Sequence, residues 1–323
     1  MPLTRRKFLT QTALGGTVCA ASGVAKAEEK PEKELSPKAL GLLFDSTLCV
    51  GCKACVVACR EANDTHPEFS TKDKLWDTPL DLDADTLTVI KAYSDGSGAT
   101  KDQEKDGYAF MKKSCLHCVD PSCVSVCPVS AMTKDPVTGI VSYNPNKCIG
   151  CRYCVAACPF GVPRFEYDKP FARLRKCELC KARLAEGKIT ACSEVCPTGA
   201  TLFGPVATLR AEAERRHKLV PGERAFFPRK TADSTDVYEK PAPHYVAETY
   251  GLTEVGGTQM QLLSGVAFEK VGMPALPKKA FVSTSESIQH TLYKGMIAPV
   301  VLFGGLMFLV RRSLKNEKHE GEE

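Results

Sequence analysis

Sixteen cysteines fall into four runs of four, and this pattern restricts the possible folds more than any other feature of the 323 residues. The first run is Cys49, Cys52, Cys55 and Cys59, spaced C-x2-C-x2-C-x3-C. The second is Cys115, Cys118, Cys123 and Cys127, spaced C-x2-C-x4-C-x3-C. The third is Cys148, Cys151, Cys154 and Cys158, with the spacing of the first. The fourth is Cys177, Cys180, Cys192 and Cys196, spaced C-x2-C-x11-C-x3-C. Three runs end in Cys-Pro, whereas Cys59 is followed by Arg60.

Cysteines two residues apart on a tight loop can turn their thiolates inward around one iron–sulfur cubane. Small residues between them, here Gly51, Ala54 and Gly150, let backbone amides approach the cluster sulfides. The cysteine three residues further on is carried away from that loop, and in ferredoxin-type chains it serves the other cluster of a pair. The trailing proline ends or redirects the local helix. Zinc sites usually separate their C-x-x-C pairs by a dozen or more residues, which the compact third run does not do. Cysteines so close in sequence are also poor partners for many disulfides. The pattern therefore predicts four 4Fe-4S clusters on sixteen thiols. No Ser/His/Asp set, phosphate loop or carboxylate pair stands out, so the chain reads as a non-catalytic electron carrier. His117 sits between two ligands of a set that is complete without it, and reads as a hydrogen-bonding or solvated residue. Trp76 reads as packing, and His290 as an interfacial histidine.

Residues 131 to 147 place apolar positions around Asp135-Pro136 and Thr138-Gly139 turn signals, which predicts a hairpin. Run, hairpin, run makes one two-cluster unit from the second and third runs. The first and fourth runs then form a second unit around it, with pairing in chain order as the alternative. The predicted fold is α+β, two ferredoxin-like units spanning residues 28–204. Strands are expected at Thr86 to Tyr93, Tyr108 to Lys112 and Met260 to Leu263. Residues 206 to 219 read as a helix with a basic face of Arg210, Arg215 and Arg216. Residues 205–290, rich in Pro, Gly and polar residues after that helix, read as an extended arm.

Both ends carry membrane signals. TRRKFL with Arg5 and Arg6, an apolar stretch from Leu9 to Val24 and Ala25-Lys26-Ala27 make residues 1–27 a twin-arginine signal peptide, which would remove Cys19. At the other end, 295 to 310 contain no charge. As a helix they would be only about 24 Å long at the usual rise, and Tyr293, Lys294, Arg311 and Arg312 extend the reach by interfacial anchoring. Residues 291–312 are thus expected to be a transmembrane anchor and 313–323 a cytoplasmic tail, because Arg311, Arg312 and Lys315 favour that side. The body then lies on the periplasmic side of the inner membrane. Of the 43 basic residues four lie in residues 1–27, leaving 39 against 38 acidic ones, so no basic excess points to nucleic acid.

The stretches FDSTLCVGCKACVVAC, KSCLHCVDPSCVSVCPVSAM, KDPVTGIVSYN, GCRYCVAACPFGVP and IQHTLYKGM carry a resemblance over nearly the whole chain. It resembles the four-cluster iron–sulfur subunits of bacterial respiratory oxidoreductases, and within them the subunit serving membrane-bound nickel–iron hydrogenase-2. The resemblance implies nested pairing. Cluster one takes Cys49, Cys52, Cys55 and Cys196; cluster two takes Cys59, Cys177, Cys180 and Cys192. Cluster three takes Cys115, Cys118, Cys123 and Cys158; cluster four takes Cys127, Cys148, Cys151 and Cys154. It further implies hydrogenase small and large subunits as partners, and a quinone-reactive integral membrane subunit as the electron acceptor. The equivalent subunit of a formate dehydrogenase, or of a nitrite, dimethyl sulfoxide or polysulfide reductase, is the alternative.

Overall fold

A computed structural model describes residues 33–66, 77–167, 172–287 and 300–311. The expected signal peptide, Trp76, His290, the expected cytoplasmic tail and much of the expected anchor lie outside the described residues. The chain divides into two units, one of residues 32–282 and one holding both ends of the chain.

In the larger unit, β1 (Leu40–Asp45) is an apolar strand that leads through the first cysteine loop into helix α1 (Ala54–Asn63). Strands β2 (Thr88–Ser94), β3 (Thr100–Lys101) and β4 (Gly107–Ser114) form a sheet in the order β2-β4-β3, and β4 delivers the second cysteine run. After the short helix α2 (Ser122–Ser125) comes the antiparallel pair β5 (Met132–Lys134) and β6 (Val141–Tyr143), which is the predicted hairpin. Its turn is set by Asp135, whose side chain accepts hydrogen bonds from the backbone N–H groups of Val137 and Thr138. Helix α3 (Tyr153–Ala157), the antiparallel pair β7 (Arg164–Phe165) and β8 (Leu174–Arg175), and helices α4 (Lys181–Ala185) and α5 (Ala191–Glu194) carry the third and fourth runs.

β9 (Thr201–Pro205) then returns antiparallel to β1, so the end of the fourth run lies beside the start of the first. Helix α6 (Val206–His217) follows, then the antiparallel pair β10 (Arg224–Pro228) and β12 (Val237–Pro241), with β11 (Lys230–Thr231) between them in sequence, and finally β13 (Met260–Leu263). The central sheet runs β11-β9-β1-β13.

The segment expected to be an extended arm is built into this unit as far as residue 282. Its β13 is a fully buried strand that pairs parallel with β1, Leu42 opposite Met260 and Phe44 opposite Leu262. Some of its polar residues, Gln259 among them, bond backbone groups of the cysteine body. The basic face of α6 also needs correction. Arg216 is fully buried; it donates to Asp45 of β1 at 2.8 Å and to Glu212 at 2.8 Å, and its guanidinium stacks over Phe227.

Residues 281–287 and 300–311 are helical, and Val300, Val301, Phe303, Met307, Phe308 and Leu309 of the latter are exposed. Among the described residues no helix is long and apolar enough to cross a membrane.

Candidate iron–sulfur sites

The four C-x-x-C loops share one backbone device. The residue immediately before the second cysteine has a left-handed conformation in every case: Gly51 (φ 70°), His117 (φ 49°), Gly150 (φ 71°) and Leu179 (φ 53°). That turn lets an amide point back at a sulfur. The N–H of Gly150 donates to Cys148 Sγ and that of Leu179 to Cys177 Sγ, each at 3.4 Å, and Gly51 does the same for Cys49. Glycine takes this conformation without strain. At Gly51 a side chain is further excluded because a Cβ would lie 2.5 Å from the Phe110 ring. More donors converge on other sulfurs: Ala131 N–H on Cys127 at 3.2 Å, Ala191 N–H on Cys180, and Phe160, Gly161 and Val162 on Cys158.

The structure gathers the thiols across the chain, not run by run. One cavity is lined by Cys59, Cys177, Cys180 and Cys192 together with Leu42, Thr88 and Lys112. A second is lined by Cys127, Cys148, Cys151 and Cys154 with Met132, Phe165 and Leu174. Cys49 is electrostatically coupled to Cys55 and Cys196, and Cys55 to Cys52 and Cys196. Cys118 is coupled to Cys115, Cys158 and Cys123. Three further couplings run between sets: Cys55 with Cys192, Cys177 with Cys115, and Cys123 with Cys154. They join the four sets in a line.

All sixteen cysteines are free, most of them buried or half-buried, with Cys52 and Cys151 exposed. Burial pushes the thiols of Cys49, Cys55, Cys123 and Cys177 up to about 12 and that of Cys154 up to about 11. Such thiols ionise only where something positive offsets the desolvation. Four acidifiable sulfurs around a small cavity, each set receiving N–H donors, suit a group made of iron and sulfide. His117 adds a donor. Its Nδ1 accepts from Val141 N–H at 3.0 Å, so Nε2 carries the proton, and that atom is buried without a hydrogen-bond partner. The imidazole is therefore a hydrogen-bonding group, and burial holds its pKa well below the usual histidine range.

Sequence reasoning missed the buried polar residues around the sets. Lys112 lies inside, its signal being that it shares the two-residue period of buried Phe110 on a strand whose neighbouring Lys113 is less buried. Gln259, placed in the supposed arm, donates to Leu40 O at 2.6 Å and Thr138 O at 2.9 Å, and accepts from Lys134 at 2.6 Å. No local pattern marked it.

A family model described as a 4Fe-4S dicluster domain matches residues 107–206, which hold the second, third and fourth runs. The hydrogenase-2 operon protein HybA of Escherichia coli O157:H7 is 46% identical over 327 residues, covering 99% of this chain and 98% of its own. The nitrate-inducible formate dehydrogenase iron-sulfur subunit of Escherichia coli (strain K12) is 34% identical over 272 residues, 82% of each chain. A formate dehydrogenase iron-sulfur subunit of Haemophilus influenzae is 29% identical over 95% of this chain and 92% of its own. With its cysteine runs, its loop geometry and a likeness to HybA from end to end, the chain belongs to the HybA family of iron–sulfur proteins.

Proposed function

We propose that this chain is the electron-transfer subunit of a membrane-bound hydrogenase of the hydrogenase-2 type, with four 4Fe-4S clusters and no catalytic centre of its own. The observation that carries this reading is the gathering of the four cysteine runs into neighbouring sets, two of them around cavities, with Cys55 near Cys192, Cys177 near Cys115 and Cys123 near Cys154. Bound in those sets, the clusters supply one-electron redox chemistry. The chain's own part is to hold neighbouring sets side by side, to exclude water by burial, and to offset sulfur charge with amide donors. The nested ligand sets are supported by the cavity linings and by which cysteines lie near one another. Cys59, Cys177, Cys180 and Cys192 share one cavity, Cys127, Cys148, Cys151 and Cys154 another, Cys196 joins the first loop, and Cys158 joins the second.

The partners on this reading are hydrogenase small and large subunits on one side and a quinone-reactive integral membrane subunit on the other, supported by the name of the relative that matches end to end. The body sits on the periplasmic face, exported by the twin-arginine signal and held by residues 291–312. The alternative, service to a formate dehydrogenase, is supported by relatives of lower identity. Anaerobic iron and sulfide analysis should give about sixteen of each per chain, four cubanes of four. Stoichiometric zinc without labile sulfide would end the proposal, and copurification with a formate-oxidising subunit would select the alternative. Protease added to spheroplasts should digest the body but spare a tag placed after Glu323, and changing Arg5 and Arg6 to Lys should block export.

A further inference from the structure

Strand β4 presents Phe110, Lys112 and Ser114 on one face, as the two-residue period of a strand requires. Phe110 packs on Gly51 in the first cysteine loop, and Lys112 and Ser114 line the cavity of Cys59, Cys177, Cys180 and Cys192. Lys112 is 1% exposed. Lysine is almost never buried to that degree unless paired. The fold pairs its other fully buried cation in the ordinary way, since Arg216 meets the carboxylates of Asp45 and Glu212. Among the described residues no carboxylate forms an ion pair with Lys112. Its ammonium reaches Thr201 Oγ1 at 3.4 Å, and it lines one cavity with Cys59, Cys177, Cys180 and Cys192, with Cys55 of the first set also near it. A cation in the interior beside cysteines of two different sets has one evident use: it faces whatever charge those sets hold.

We propose that Lys112 is a fixed positive charge shared by the first two clusters, which raises the reduction potential of both. This rests on the reading that the sets hold 4Fe-4S clusters. Each reduction adds one electron to a group already negative. A nearby ammonium in a poorly polarisable interior stabilises the reduced form more than the oxidised one. The effect is larger for the set of Cys59, Cys177, Cys180 and Cys192, whose cavity Lys112 lines. Lys112 is thus a positioning residue for the electron on the relay, and takes no part in bond chemistry.

The test is a redox-poised electron paramagnetic resonance titration of the intact complex, purified anaerobically. Lys112→Met removes charge and donor at similar length; Lys112→Gln keeps a donor and removes the charge. Lys112→Arg keeps the charge. Lys113→Met is the control, because Lys113 lies on the opposite face of β4, over the Tyr93 ring. Both neutral variants should lower the midpoints of two clusters and leave the other two in place. The larger change should be at least tenfold in the reduction constant, about 59 mV for a one-electron couple. Lys112→Arg and Lys113→Met should keep the wild-type midpoints. Four clusters with unmoved midpoints in Lys112→Met overturn the proposal. So does a shift in Met that is absent in Gln, which would assign the effect to the hydrogen bond. Loss of the first two clusters from both neutral variants overturns it in favour of an assembly role. A wild-type protein short of iron and sulfide overturns the functional reading itself, and is seen before any variant is made.

Discussion

Replacing Arg216 with Met tests whether the buried charges beside the first cysteine loop hold the fold together. Arg216 and Asp45 are both fully buried and Glu212 is 7% exposed. In the variant, Glu212 keeps Arg215, which donates to it at 2.6 and 2.8 Å. Asp45 keeps the N–H and hydroxyl of Thr47, at 2.9 and 2.5 Å, and the hydroxyl of Tyr245 at 2.7 Å. What disappears is its one direct cationic partner among the described residues, because Lys101 and Lys240 spend their ammonium groups on the carbonyls of Ser46 and Thr47 and on Asp102. Breaking a buried pair from one side costs about 3–5 kcal/mol. The surviving hydrogen bonds place this case at the lower end, and losing the stacking on Phe227 adds roughly 1 kcal/mol. A total near 4 kcal/mol, with a urea slope of about 3 kcal/mol/M for a chain of this size, moves the midpoint down by roughly 1.3 M.

The assay is anaerobic urea unfolding followed by far-ultraviolet circular dichroism, with the visible absorption of the clusters recorded in parallel. Adding Asp45→Asn to Arg216→Met should recover part of the loss, since the double variant no longer buries an unpaired charge. The two substitutions are in contact and must be non-additive. A single variant within 0.5 kcal/mol of wild type, or a double variant equal to the sum of the singles, refutes the reasoning.

Three other outcomes follow from the same geometry. Gly51→Ala should destabilise by about 2 kcal/mol from backbone strain and the clash with Phe110, whereas Gly187→Ala, also at positive φ but with nothing within 4 Å, should cost about 1 kcal/mol; equal losses in thermal unfolding would show that the Phe110 contact is slack. Gln259→Leu removes the donor to Leu40 O and one acceptor of Lys134, while Thr138 O keeps Leu40 N–H and Lys134 keeps the carbonyls of Cys118 and Gly139; it should cost about 1 kcal/mol in the same assay, and no loss would mean that water replaces it freely. Cys151→Ser should abolish hydrogen-driven quinone reduction by the assembled complex but leave its reduction of an artificial dye intact, and loss of dye activity would reveal a catalytic contribution.

Much of the cysteine body was legible because its signals are local. Cys spacing, the Asp135 turn and the apolar stretches of β2, β4 and β13 all announce themselves within ten residues. The strand at Met260–Leu263 was read with the bounds the structure gives. Its destination was not legible, because pairing with β1, more than two hundred residues earlier, leaves no trace in a window of sequence. Composition also misled. Residues 220–282 are poor in long apolar runs, but they carry the buried strand β13 and polar side chains such as Gln259 that bond the cysteine body. Arg216 was misassigned for a similar reason: a helical wheel places it among charged residues, and only the tertiary fold supplies Asp45.

The proposed nested arrangement poses a mechanical problem that the C-terminal segment addresses. Residues 107–206 match a dicluster domain, yet Cys49, Cys52 and Cys55 come from the segment after β1, outside that span. A relay needs the outer and inner sets at fixed separation, and β1 is tied to the matched span through β9 and the backbone bond from Leu40 N–H to Thr138 O. β13 supplies the second tie. It pairs with β1 along one edge, and its N-terminal end reaches the second cysteine loop, where Thr258 bridges to Cys118 and the N–H groups of Gln259 and Met260 donate to Leu116 O. The Gln259 side chain joins β1, the hairpin turn and Lys134 in one network. Buried strands and buried hydrogen bonds open only with the global unfolding of a domain. The sets of Cys55 and Cys192 and of Cys177 and Cys115 thereby sit beside buried strands and buried hydrogen bonds, which is where a chain that must keep redox groups in register should invest its interior polar contacts.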